Sequence, residues 1–135
     1  MKKIHQYLIT EAQLNEALSN DQIAQIEKYA DKLFSALNMD VEFGRHFKER
    51  LNDPRNQKDI TSGEMIRIFR ETYKKYGKKI AQWGADAQAV VKDMVADLNI
   101  PFMLKWDNRN QELDLVPKTV MRKKDFHTPN QVLTI

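Results

Sequence analysis

The sequence predicts an α+β fold in which N-terminal helices pack on a small C-terminal antiparallel sheet. Three observations predict it. Apolar residues recur at helical period in separate stretches between Asp21 and Leu98. From Pro101 onward the pattern changes to strand-like alternation around a polar turn at residues 107–110. The chain has 135 residues, 41% of them hydrophobic, which is the length of one domain with an ordinary core. Placing all helices before the sheet separates this order from the alternating βαβ pattern of parallel α/β folds.

The elements follow in order. Residues 1–12 form a short amphipathic stretch with Ile4, Tyr7 and Leu8 at i, i+3, i+4, and a polar segment follows to Asn20. Residues 1–11 therefore stand apart, residues 12–20 read as a linker, and residues 21–135 as the domain. Asp21 suits the N-cap of a helix carrying Ile23, Ile26, Ala30, Leu33, Phe34 and Leu37. Residues 41–43 make a brief strand-like link. A short helix over residues 45–51 stops at Asn52-Asp53-Pro54, because the residue before proline avoids the α region. Thr61 with Glu64 three positions on is a capping box, opening a helix through Met65, Ile66, Ile68, Phe69 and Tyr73 that Gly77 ends. Residues 85–98 read as a further helix through Ala87, Val90, Val91, Met94 and Leu98. Residues 101–106 and 112–122 are strands. In the second, Leu113, Leu115, Pro117, Thr119 and Met121 share one face, and Asp114, Val116, Lys118, Val120 and Arg122 the other. Pro117 lacks an N–H, which puts that strand at an edge or a bulge. Residues 132–135 read as a last short strand.

Composition removes several chemistries. Cysteine is absent, so disulfides, thiolate zinc sites and cysteine nucleophiles are excluded. No apolar run approaches the roughly 18 residues of a membrane span, and the N-terminus has no apolar signal core; no membrane partner is expected. His5, His46 and His127 lie far apart without metal-ligand spacing, and four glycines build no phosphate cradle. No metal and no cofactor are expected. Asp93 and Asp97, i and i+4 on the expected helix, are an ordinary surface pair. Trp83 and Trp106 could stack on bases, although Trp106 is expected to pack in the sheet.

Charge is uneven. The chain carries +3 overall, with −2 over residues 1–40 and +5 over residues 41–135. Cations cluster at Lys74, Lys75, Lys78 and Lys79, and again at Lys118, Arg122, Lys123 and Lys124. Such clusters attract polyphosphate by counterion release, while the first also suits a helix C-terminus.

The first twelve residues, MKKIHQYLITEA, resemble the capsid-targeting propeptide of internal head proteins in T-even-like phages. Those begin Met-Lys, carry an aromatic in a short amphipathic stretch, and end at Leu/Ile-x-Glu followed by Ala or Gly. Ile9, Glu11 and Ala12 are the matching positions. The resemblance implies cutting between Glu11 and Ala12 by a prohead protease, with residues 1–12 docking on the head core. The protein would lie in the virion head and then pass with the DNA into the host cytoplasm.

His46 and Arg50 are i and i+4 on the short helix, so they share a face. Imidazole can move a proton to or from a ribose 2′-OH near neutral pH, while guanidinium stabilises a charged phosphorane, without any metal. A His-x-x-x-Arg helix, then a capped helix and late strands, resembles the barnase–EndoU–colicin–RelE group of small nucleases, especially the phage endoribonuclease that cuts early messenger RNA. The resemblance implies a RelE-like sheet and a metal-independent endoribonuclease. Its catalytic positions here would be His46, Arg50, Thr119 and Arg122, with Arg55, Lys118, Lys123 and Lys124 holding phosphate. Two departures stand: Arg55 follows Pro54 in a loop, and the capped helix has no second histidine. A non-enzymatic injected inhibitor of a host defence enzyme, such as a restriction nuclease, and an inert head-core component remain the alternatives.

Overall fold

A computed structural model describes residues 18–135. The amphipathic N-terminus, with Ile9, Glu11 and Ala12, lies outside the described residues. Helix α1 (Asn20–Ser35) is capped two residues before the expected N-cap Asp21, which lies in its first turn. Its cap is Ser19, whose hydroxyl accepts from the Gln22 amide at 3.1 Å while Gln22 Oε1 accepts from the Ser19 amide at 2.8 Å. Leu18 is already buried in the core. Ile23, Ile26, Ala30 and Phe34 form the buried stripe of α1, as the periodicity predicts.

Strand β1 (Met39–Val41) leads into helix α2 (Arg45–Arg50), a 3₁₀ turn (Pro54–Asn56) and the long helix α3 (Ser62–Gln82). Phe47 is the one buried residue of α2, its ring edge-on to Phe43 at 4.7 Å, and Phe43 stacks on Phe69 of α3 at 5.6 Å. This aromatic trio fixes the roll of the short helix and turns His46 to solvent. Helix α3 opens with the Thr61–Glu64 capping box but does not stop at Gly77. Gly77 is buried, and a Cβ there would meet Leu37 Cδ1 at 3.0 Å. The glycine lets Leu37 approach the helix rather than ending it.

Residues 85–98 are not a helix. They contain strand β2 (Gln88–Asp93), a turn, and the start of β3 (Leu98–Asp107). Val90 and Val91 favour the pleated strand. Asp93 makes the turn, its carboxylate accepting from the amides of Val95 and Ala96 at 3.2 Å. Asp97 completes it with φ +56°. Asp93 is fully buried and takes both ends of the Arg67 guanidinium, so it is no surface ligand. Strands β4 (Glu112–Pro117), β5 (Met121–Arg122) and β6 (Gln131–Thr134) follow. No helix among the described residues is long and apolar enough to cross a membrane.

The fold class is α+β, but the sheet is mixed rather than antiparallel. Its order is β1-β4-β3-β2-β6, with β5 also on β3. Pairs β2–β3, β3–β4 and β3–β5 are antiparallel, whereas β1–β4 and β2–β6 are parallel. The two parallel strands sit at the edges and arrive through non-hairpin connections, which local alternation does not register. Leu98, Ile100, Phe102 and Leu104 of β3 bury one sheet face in the core shared with the helices.

The expected strand over residues 112–122 is broken. Phe102 pairs with Pro117, but Asn99 pairs with Met121, so four residues on one strand span three on the other. That extra residue is a β-bulge, and it reverses the alternation. Before it Leu113, Leu115 and Pro117 face the helices; after it Val120 and Arg122 turn inward while Lys118 is exposed. Lys118 and Arg122 therefore do not share a face.

Removing the carboxylate of Asp93 leaves Arg67 and two turn amides without their partner. Asp93→Ala is expected to cost about 3 kcal/mol in urea unfolding, while Asp97→Asn stays within about 0.5 kcal/mol.

Candidate functional site

The site grows from the polar loop between α2 and α3. Asn52 clamps the start of the described chain, its side chain accepting from the Leu18 amide at 2.7 Å and donating to the Leu18 carbonyl at 2.8 Å. Asp53 caps the 3₁₀ turn by accepting from the Arg55 amide at 2.8 Å. The same carboxylate takes Arg50 Nη1 at 2.9 Å and Arg55 Nη2 at 2.8 Å. One anion thus orients two guanidiniums and leaves most of their donors free.

Asn56 ties this loop to the bulged strand. Buried at 4% exposure, it donates to the Arg50 carbonyl at 2.8 Å and accepts from the Arg122 amide at 3.1 Å. The Arg122 side chain, 6% exposed, runs beneath the loop. It donates to both Glu64 oxygens at 3.2 Å, to the Ala96 carbonyl at 2.9 Å and to the Asp59 carbonyl at 3.0 Å. Burial pushes the Glu64 carboxyl up, but the Arg122 hydrogen bond, the Thr61 amide and the charges of Arg122 and Lys58 outweigh it. Glu64 therefore sits below its ordinary value of 4.5.

The result is an open cleft of about 730 Å³ between α2, the loop and the bulge. Of the residues singled out in the sequence, His46, Arg50, Arg55, Lys118, Thr119, Arg122 and Lys123 line it together; Lys124 does not. His46 is 80% exposed, with Nδ1 3.8 Å from Glu49 Oε2, which leaves Nε2 toward solvent. Lys118 reaches Gln88 Oε1 at 3.3 Å. Lys123 is exposed, its backbone fixed by Asp97 and Asn99. Arg122 is the residue whose expected role changes most. Its guanidinium is engaged by Glu64 and two carbonyls, so it builds the cleft wall rather than presenting donors to a ligand.

Sequence reasoning missed Asp53, Asn56 and the second duty of Glu64. Asp53 carried a signal: an Asp immediately before Pro-Arg is a turn-capping pattern. Asn56 and the Arg122–Glu64 pair carried none, since 66 and 58 residues separate the partners. Trp106 is another difference. It is 48% exposed at the end of β3 and donates to Asn108 Oδ1 at 2.9 Å, so it does not pack in the sheet core. His127 is exposed and lies outside the cleft.

Comparisons with protein-family models, with curated proteins and with solved structures return no match.

Because Glu64 is held low in the folded state, its pairing stabilises the protein above its ordinary value and is lost as pH falls through the folded value. Glu64→Gln is expected to lower stability by about 2 kcal/mol at pH 7. Urea melts as a function of pH should show that gap closing below pH 4.5.

Proposed function

We propose that this chain is a phage internal head protein whose mature domain binds RNA and cleaves it without metal. The observation that carries the reading is one open cleft that His46 lines together with Arg50, Arg55, Lys118, Thr119 and Lys123, in which Asp53 pairs with both arginines. Cations in an exposed groove suit a polyphosphate. Exposed imidazole beside guanidinium suits transfer of a ribose 2′-OH proton as the 2′-oxygen attacks phosphorus, with the leaving 5′-oxygen protonated from water. In this reading His46 moves the proton, Arg50 and Arg55 face the developing charge, Thr119 donates to a phosphate oxygen, and Lys118 and Lys123 track the backbone. Arg122 acts indirectly, its amide holding Asn56 and its buried guanidinium bracing the cleft wall. Helices before a bulged sheet support a RelE-like arrangement.

Packaging rests on the N-terminal resemblance. The inhibitor alternative has its own supporting observation: Met94 and Val95, 58% and 80% exposed, form an apolar tip on the β2–β3 turn.

Two measurements test the proposal. Mass and N-terminal sequencing of the protein from purified virions should give a chain starting at Ala12; absence from virions, or a start at Met1, would contradict packaging. Binding of single-stranded RNA by the full chain should weaken with salt, and Lys118→Ala with Lys123→Ala should reduce the log–log slope by about 1.4. An unchanged slope, or no RNA binding with partner capture that Val95→Asp abolishes, would favour the inhibitor.

A further inference from the structure

The sheet face turned away from the helices carries a second polar group that the basic cleft does not use. Parallel pairing sets Asp40 of β1 beside Asp114 of β4, and antiparallel pairing sets Glu112 of β4 opposite Asp107 of β3. Like charges placed opposite each other in a sheet destabilise it, and two such pairs lie in adjacent registers here. Lys105 stands opposite Asp114 in register, yet it is exposed, and no ion pair to Asp40, Glu112 or Asp114 forms among the described residues.

Asp114 is the unusual member. It is 7% exposed, and its Oδ1 is buried with no hydrogen-bond partner among the described residues. A buried carboxylate oxygen left unpaired is costly. One carboxylate oxygen from each of Asp40, Glu112 and Asp114 lies within 4.8 Å of the other two. Calcium takes oxygen ligands at about 2.3–2.6 Å, so oxygens around one ion are separated by up to about 5 Å, and flexible coordination completed by water is usual for it. The smaller magnesium ion demands tighter octahedral spacing. Asp107 is committed elsewhere: its oxygens accept from the Arg109 and Asn110 amides and the Asn110 side chain. It contributes charge rather than a ligand.

We infer that Asp40, Glu112 and Asp114 form a binding site for a hard divalent cation, calcium by size, which pins the edge strand β1 to β4. The ion would give the unpartnered Asp114 carboxylate a counter-charge and neutralise the carboxylate row. β1 has only three residues and one sheet neighbour, so a cross-link there adds more than it would within the sheet. Asp40 and Asp114 line an open depression of about 590 Å³ that shares no lining residue with the basic cleft, and Glu112 stands at its margin, opposite Asp107 in register. The site therefore stands independently of any RNA chemistry.

Trp106 lines the same depression as Asp40 and Asp114, which supplies a direct probe. Terbium(III), a hard oxygen-seeking ion, should luminesce when the tryptophan is excited, and calcium should displace it. In the full chain about 10 mM calcium, against sodium chloride of equal ionic strength, should raise Tm by about 4–10 °C. Asp114→Asn should abolish both effects while melting in EDTA no lower than the parent, since it removes a buried charge. Asp40→Asn serves the same purpose if the first variant fails to fold. Absence of any shift with calcium, magnesium or manganese and of terbium luminescence would overturn the proposal. So would shifts that persist undiminished in Asp114→Asn or Asp40→Asn.

Discussion

The Glu64 carboxylate holds two parts of the structure at once. It closes the N-terminus of α3 through the capping box and it receives the buried guanidinium of Arg122. Arg122 reaches that carboxylate because a single extra residue between β4 and β5, both paired to β3, turns its side chain inward. From there the dependence spreads: the Arg122 amide holds Asn56, Asn56 holds the end of α2, and α2 carries His46 and Arg50. A loop that is polar along most of its length is thus kept in one conformation by a few buried hydrogen bonds. Only Arg122 Nε in this network is left buried without a partner among the described residues, and loss of a member is expected to loosen the rest.

The same arrangement decides which cations face solvent. Arg122 is spent on structure, whereas Lys118, at the start of the bulge, and Lys123, just past the inward-facing pair, are left outside. Asp53 keeps Arg50 and Arg55 from repelling one another and still leaves the group net positive. Positive charge and an exposed imidazole meet in an open groove, an arrangement that fits an extended polyanion. The acidic row on the opposite sheet face, centred on Asp114, gives the molecule a second and chemically opposite surface.

Much of this was legible in the sequence where it was local. The capping box at Thr61 and Glu64, the apolar stripe of α1, the Asp107 turn and the i, i+4 placement of His46 and Arg50 all depend on residues a few positions apart. Residues 85–98 fit a helical spacing through Val90, Val91, Met94 and Leu98, whereas the β-branching of the two valines favours a strand and the buried role of Asp93 is set by tertiary contacts. The bulge was half visible, since Pro117 signals one, but its register consequence for Arg122 depends on β3. The parallel pairings of β1 and β6, and with them the Asp40–Glu112–Asp114 group, join distant segments and leave no periodic trace.

The most direct test of the cleft is RNA cleavage by the full chain in excess EDTA, with parent and His46→Ala compared at equal Tm. Cleavage by the parent that leaves 2′,3′-cyclic phosphate ends, and its loss in the variant, is the predicted result. Cleavage that survives in His46→Ala, or that requires added metal, would contradict the account.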